Sequence, residues 1–151
     1  MDKLGNVAQG CALAVMLVGI AVLAGWALGI QGLKSVLPGL ATMKANTALC
    51  FTLSGVALAV RARPWLRRGC AGAVLALAGL TLVQDVIGAD LAIDQVLFRD
   101  APGGSPTVAP GRMSPATGVG FILSAVALLL LGARQAPAPR ALLTKPRDFH
   151  A

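Results

Sequence analysis

The stretch VAQGCALAVMLVGIAVLAGWALGI, residues 7–30, contains no charged side chain, and nothing charged lies between Lys3 and Lys34. A helix needs about 20 mostly apolar residues, at about 1.5 Å rise each, to cross a hydrocarbon core of about 30 Å. Residues 7–30 meet that length with room for tilt. They also exceed the roughly 7–15 apolar residues of a cleaved secretion signal. Asp2 accompanies Lys3 at the start. The expectation is a first membrane span that stays in the mature chain.

The same signature returns three times. An uncharged run lies between Lys44 and Arg61. Another extends from Gly69 to Gly88, interrupted only by Gln84 and Asp85. The last lies between Arg112 and Arg134. The second run is the shortest and is expected to extend back toward Met43 or beyond. Composition points the same way. The chain of 151 residues is 56% hydrophobic and 13% charged, against about 45–50% and about 25% in soluble domains. A soluble domain of this size leaves much of its surface in water, so lipid is the fitting solvent for the excess.

The formal net charge is +7. Its distribution reads as membrane topology. One side of a four-span arrangement collects Lys3, Arg61, Arg63, Arg67, Arg68, Arg134, Arg140, Lys145 and Arg147; the other has Lys34, Lys44, Arg99 and Arg112. Short loops rich in Lys and Arg stay in the cytoplasm, so both termini are expected there. The basic excess suits anionic headgroups and gives no reason to expect a nucleic-acid partner.

The chain also repeats itself. MKANTALCFTLSGVALAV (residues 43–60) aligns without gaps to MSPATGVGFILSAVALLL (residues 113–130). Met43/Met113, Thr47/Thr117, Phe51/Phe121 and Ser54/Ser124 are the least generic identities. A proline and a glycine precede each methionine. The fold expected is all-α: a polytopic membrane protein of four transmembrane helices, built as two tandem helix-pair repeats of parallel topology. Residues 1–133 form the transmembrane domain, with repeat one at about 7–61 and repeat two at about 69–133. Residues 134–151 form a cytoplasmic tail, a disordered end or linker.

Candidate site residues gather where the halves differ. The first connection, residues 31–42, is short and contains Pro38 and Gly39. The second contains ADLAIDQVLFRD (residues 89–100) and the Pro/Gly-rich APGGSPTVAPGR (residues 101–112), an irregular connector. ADLAIDQVLFRD is expected to continue the third span or lie in the interface, with Asp90 and Asp94 on one helical face. Asp85 is costly inside a span, and such residues often mark functional positions; near the outer end of the third helix it reads equally as a solvated or locally paired carboxylate. Asp85, Asp90, Asp94, Arg99 and Arg112 are therefore the candidate ligand or signal residues, with Asp100 beside them. Asn46, Thr47, Ser54, Thr117 and Ser124 are candidates for packing between helices. Cys11, Cys50 and Cys70 lack metal-ligand spacing and read as small apolar packing residues. The lone His150 stands in the tail, so no catalytic triad is visible. No metal or cofactor is expected, and the chain is expected not to be an enzyme.

Residues 35–132 resemble a known module. Asn46-Thr47-Ala48-Leu49-Cys50-Phe51, then Met113-Ser114-Pro115 with Thr117 and Phe121, and Asp90-Leu91, Ile93-Asp94 and Leu97-Phe98 carry the likeness. They are similar to the N-terminal four-helix membrane sensory module of bacterial sensor histidine kinases, PAS regulators and diguanylate cyclases. Ala45 and Ala116 stand where that pattern has Pro and Asn. The resemblance implies a non-catalytic signal-input module of a two-component type of system, in a bacterial inner membrane, here without an output domain. It would sense through the outer loop and the end of the third helix. Its partners would be the lipid bilayer and either further copies of itself or a signalling protein. A small oligomeric transporter or channel, or an accessory subunit of a membrane complex, are the alternatives.

Overall fold

The computed structural model describes residues 3–35, 42–60, 62–99 and 109–134. Asp100, the first part of the Pro/Gly-rich connector, Pro38 and Gly39, and the tail with His150 lie outside them. The described chain is helical throughout: α1 (Lys3–Leu28), α2 (Gln31–Lys34), α3 (Ala45–Ala59), α4 (Pro64–Ile87), a 3-10 turn (Ile93–Gln95) and α5 (Pro115–Arg134).

Local chemistry sets the ends of these helices. Gly29 follows α1 at φ 71°, and the Ile30 N–H returns to the Gly25 carbonyl at 2.9 Å. That closes α1 with a Schellman-type bond. Pro64 opens α4, where its fixed φ suits the first turn. Gly88 at φ 66° ends it. Before α5, the Ser114 hydroxyl accepts the Thr117 N–H at 3.2 Å, and Pro115 follows Ser114. This is N-capping.

Three segments are long and apolar enough to cross a membrane: Gly5–Leu28, Pro64–Ile87 and Pro115–Gly132. Helix α3 is shorter, at 15 residues, or about 22 Å. The extension toward Met43 does not form. The Met43 N–H donates to the Lys34 carbonyl at 2.7 Å, and the Met43 carbonyl accepts the Trp26 indole N–H at 2.9 Å. Lys44 is extended, with φ −70° and ψ 148°. The backbone groups that would lengthen α3 thus serve the connection from α1.

What α3 lacks in length it has in burial. It lies between α1 on one side and α4 and α5 on the other, whereas α1 and α5 make no substantial contact. Glycines bring α1 and α3 together. A Cβ on Gly19 would stand 2.6 Å from the Ala48 carbonyl oxygen, and one on Gly55 would stand 2.8 Å from that of Ala12. Small residues allow such approach where lipid gives helices no hydrophobic reason to associate. On the other side Cys50, Val74, Ala78, Met113, Phe121 and Ala125 form one buried cluster. Ala57, Cys70, Ala71 and Leu128 form a second. Large apolar side chains such as Leu17, Val83 and Leu123 point outward. An outward apolar surface on helices of this length is compatible with contact to a lipid bilayer.

GCALAV (residues 10–15) in α1 matches GCAGAV (residues 69–74) in α4, and each helix ends on a left-handed glycine, Gly29 or Gly88. Phe51 and Phe121 touch edge to face, with centroids 5.1 Å apart at 76°.

Candidate functional site

The last turn of α4 carries Gln84 and Asp85 to one end of the bundle. Gly88 then turns the chain, so ADLAIDQVLFRD does not continue the helix. The Asp90 carboxylate accepts the Ala92 N–H at 2.9 Å. Ala92 takes a left-handed backbone, φ 57°, uncommon for a residue with a Cβ. The 3-10 turn that follows directs Asp94 inward, at 4% exposure. Asp90 and Asp94 therefore do not share a helical face: Asp90 faces solvent and Asp94 is buried.

Both nevertheless reach Arg112, just before α5. Its Nε donates to Asp94 Oδ2 at 2.7 Å, and its terminal nitrogens lie 3.1 Å from Asp85 Oδ1 and 3.8 Å from Asp90 Oδ1. One of them also donates to the Ala89 carbonyl at 3.5 Å. The planar fork of a guanidinium makes this branching possible. The Asp94 and Asp85 links are short and charge-assisted, the stronger kind of hydrogen bond. The Asp90 link is longer and exposed, the kind that contributes little. The hydrogen bond to Asp94, and then that to Asp85, push the Arg112 pKa up against the opposing effect of burial.

Gln84, fully buried, completes the arrangement. Its amide N–H donates to Asp94 Oδ2 at 3.0 Å, and its carbonyl oxygen accepts the Leu91 N–H at 2.6 Å. Asn46, at the start of α3, donates to the Ile93 carbonyl at 3.2 Å. Gly111 lies so close that a Cβ there would stand 2.6 Å from the Asp94 carbonyl oxygen, and its φ is 76°. One short segment, residues 89–95, is thus fastened to α3, to α4 and to the root of α5. Asp94 Oδ1 is buried without a hydrogen-bond partner.

Four candidate residues, Asp85, Asp90, Asp94 and Arg112, therefore meet. Arg99 is exposed and outside these ion pairs. Gln84 is the participant that reading the sequence for charge passed over. Its place beside Asp85 was the available signal. The packing candidates divide differently. Asn46 holds the loop. Thr47 is buried. Ser124 donates within α5, to Gly120 at 2.8 Å. Thr117 pairs with Ser114 at 2.8 Å. The Ser54 hydroxyl is buried without a hydrogen-bond partner.

A second knot lies at the same end. Trp26 bonds Met43, carries the Lys34 ammonium 4.3 Å from its ring centroid, and meets the Phe98 ring at 6.0 Å. It joins the two connections to each other. Among the described residues no three His, Cys, Asp or Glu side chains converge as a metal site. The chain matches no protein-family model, no curated protein and no solved structure.

Proposed function

We propose that this protein is a non-catalytic signal-input module of a bacterial cytoplasmic membrane. A stimulus acts on residues 89–95 and shifts α4 and α5 relative to α3. The observation that carries this reading is the Arg112 junction. One side chain holds the end of α4, the loop and the root of α5, so a change in the loop must alter the seating of helices. A ligand or partner drives such a change only to the extent that it favours one helix arrangement over another. The receiver of the signal is a partner protein on the basic side of the membrane, where Arg63 and Arg68 lie and both termini are proposed to be.

The proposal includes four membrane segments arranged as a tandem duplication, with the short α3 sheltered by its neighbours. GCALAV and GCAGAV, the paired glycine caps and the Phe51–Phe121 contact support it. Equivalent residues touch each other where a pseudo-twofold axis passes, as expected for parallel repeats.

The test uses the full chain in lipid vesicles, comparing wild type with Arg112→Gln by hydrogen exchange. Exchange in residues 89–99 rises in the variant under any reading. The signal-input reading further requires a change at the opposite end, in residues 62–68. An unchanged far end reduces the junction to a structural clasp. Ion flux through vesicles that Asp85→Asn abolishes would replace the reading with the transporter or channel.

A further inference from the structure

The pseudo-twofold relation between the halves pairs residues one with another, and the burial of these pairs is unequal. Cys11 and Val15 of α1 correspond to Cys70 and Val74 of α4, and Gly29 corresponds to Gly88 in the same register. Cys50, Leu53 and Ala57 of α3 correspond to Gly120, Leu123 and Ala127 of α5. On one side of the axis these positions are covered. Helices α3 and α4 pack together. Cys50, Ala57, Cys70 and Val74 are all buried, and Ala57 shares a cluster with Cys70.

On the other side the equivalent positions are open. Helices α1 and α5 make no substantial contact. Cys11 and Ala127 are exposed, and so is Leu123. Nothing lies within 4 Å of a Cβ added to Gly120. A groove of about 290 Å³ marks the gap, with Cys11 and Val15 on one wall and Phe121 and Ser124 on another. It stands where the α3–α4 contact would be repeated. Both helices carry a face suited to that repeat. Gly120, Leu123 and Ala127 lie on one face of α5, and Cys11, Val15 and Val18 on one face of α1. Small residues such as Gly120 and Ala127 let helices approach closely in lipid.

We propose that α1 rolls onto α5, closing the groove and forming the counterpart of the α3–α4 contact. The observed arrangement is then the open member of a pair. The pivot is the close approach of α1 to Gly55 of α3, where a Cβ would stand 2.8 Å from the Ala12 carbonyl oxygen. In the closed member Cys11 packs with Ala127, as Cys70 does with Ala57. Val18 covers Gly120, as its counterpart Leu77 lies against the cluster that contains Cys50. This inference rests on the tandem duplication proposed above and is independent of the Arg112 junction.

The experiment uses the full chain in lipid vesicles, with Cys50 and Cys70 changed to alanine, Cys11 kept and Ala127→Cys added. Copper–phenanthroline in air oxidises the thiols, and the disulfide within one chain is followed by peptide mass spectrometry. A comparison chain carries Cys11→Ala and Leu13→Cys, which moves the thiol to another exposed face of α1. The Cys11 chain should form its disulfide about tenfold faster, since proximity sets the rate. Gly120→Trp occupies open space in the observed arrangement and blocks the closed one, so it should slow that disulfide several-fold. In a chain that instead keeps Cys70 and carries Ala57→Cys, the disulfide should form equally with and without Gly120→Trp, showing the packed side intact. If Gly120→Trp does not fold, as judged by circular dichroism, the comparison of Cys11 with Leu13→Cys decides alone. No disulfide from either position overturns the closing and leaves the duplication standing. A disulfide that favours Leu13→Cys shows α1 and α5 meeting out of register and overturns both. A disulfide formed only between two chains, or one indifferent to Gly120→Trp, also overturns the closing.

Discussion

Arg112→Gln leaves Asp85 and the buried Asp94 facing each other without their cation. Removing one partner of a buried ion pair costs about 3–5 kcal/mol. Asp85 is partly exposed, at 23%, so about 3 kcal/mol is the expected loss, read as a lowered Tm in detergent. Gln84→Leu removes two hydrogen bonds while keeping volume, and about 1–3 kcal/mol should go with them. Its signature is faster exchange at the Leu91 amide. The Arg112 pKa is raised by folding, so the stability it brings is present at every pH below its unfolded value. That stability disappears only as pH rises through the folded pKa, in strongly alkaline solution. Between about pH 7 and pH 10, Arg112 should therefore add no slope to the wild-type Tm profile. Arg112→Lys, with one ammonium in place of a fork, should be less stable than wild type across that range, and should lose further stability only as pH rises past the unfolded lysine value of about 10.4. Asp85, Asp90, Asp94 and Arg112 were legible because charge is conspicuous in a chain this apolar. Gln84 and Asn46 stood out as polar residues in apolar runs, but their partners in residues 91–94 were not legible, since only the turn at Gly88 and Ala92 brings those groups near.

At the scale of the element, glycine position decides tolerance. Gly55→Ala places a methyl against α1, where the near atoms are the Met16 Cβ and the Ala12 and Met16 backbone. It should destabilise by about 1–3 kcal/mol. Gly120 has open space around it, so Gly120→Ala should be neutral or stabilise by up to about 1 kcal/mol. Comparing the two variants by thermal unfolding in the same detergent checks both. The long helices α1, α4 and α5 were readable because an unbroken apolar run of that length has few other uses. The start of α3 was less so. Its uncharged run begins right after Lys44, where the helix does, but the shortness of that run called for an extension toward Met43, and Met43 is instead engaged by the Lys34 carbonyl and the Trp26 indole. Trp26→Phe, which keeps the ring but removes the indole donor, should free the Met43 carbonyl and loosen residues 42–44, visible as faster exchange at the Ala45–Thr47 amides.

Across the whole molecule, one end holds the Arg112 junction and the Trp26 knot, and the other holds the basic stretch Arg63–Arg68 that opens α4. Single cysteines at Ser35 and Arg99, made in a chain whose native cysteines are changed to serine or alanine, should react with an impermeant thiol reagent from one side of a sealed vesicle. Cysteines at Ala62 and Arg63 should react only from the other. The contact of Phe51 with Phe121 bears on how such a chain arose. On the proposed duplication, a half-length ancestor would have carried one such ring. Two copies of it, side by side in the same orientation, would have set ring against ring as the fused chain does now. The modern protein would then be an ancient dimer joined by the linker at residues 60–64, and its halves, expressed as separate polypeptides, should find each other again in the membrane.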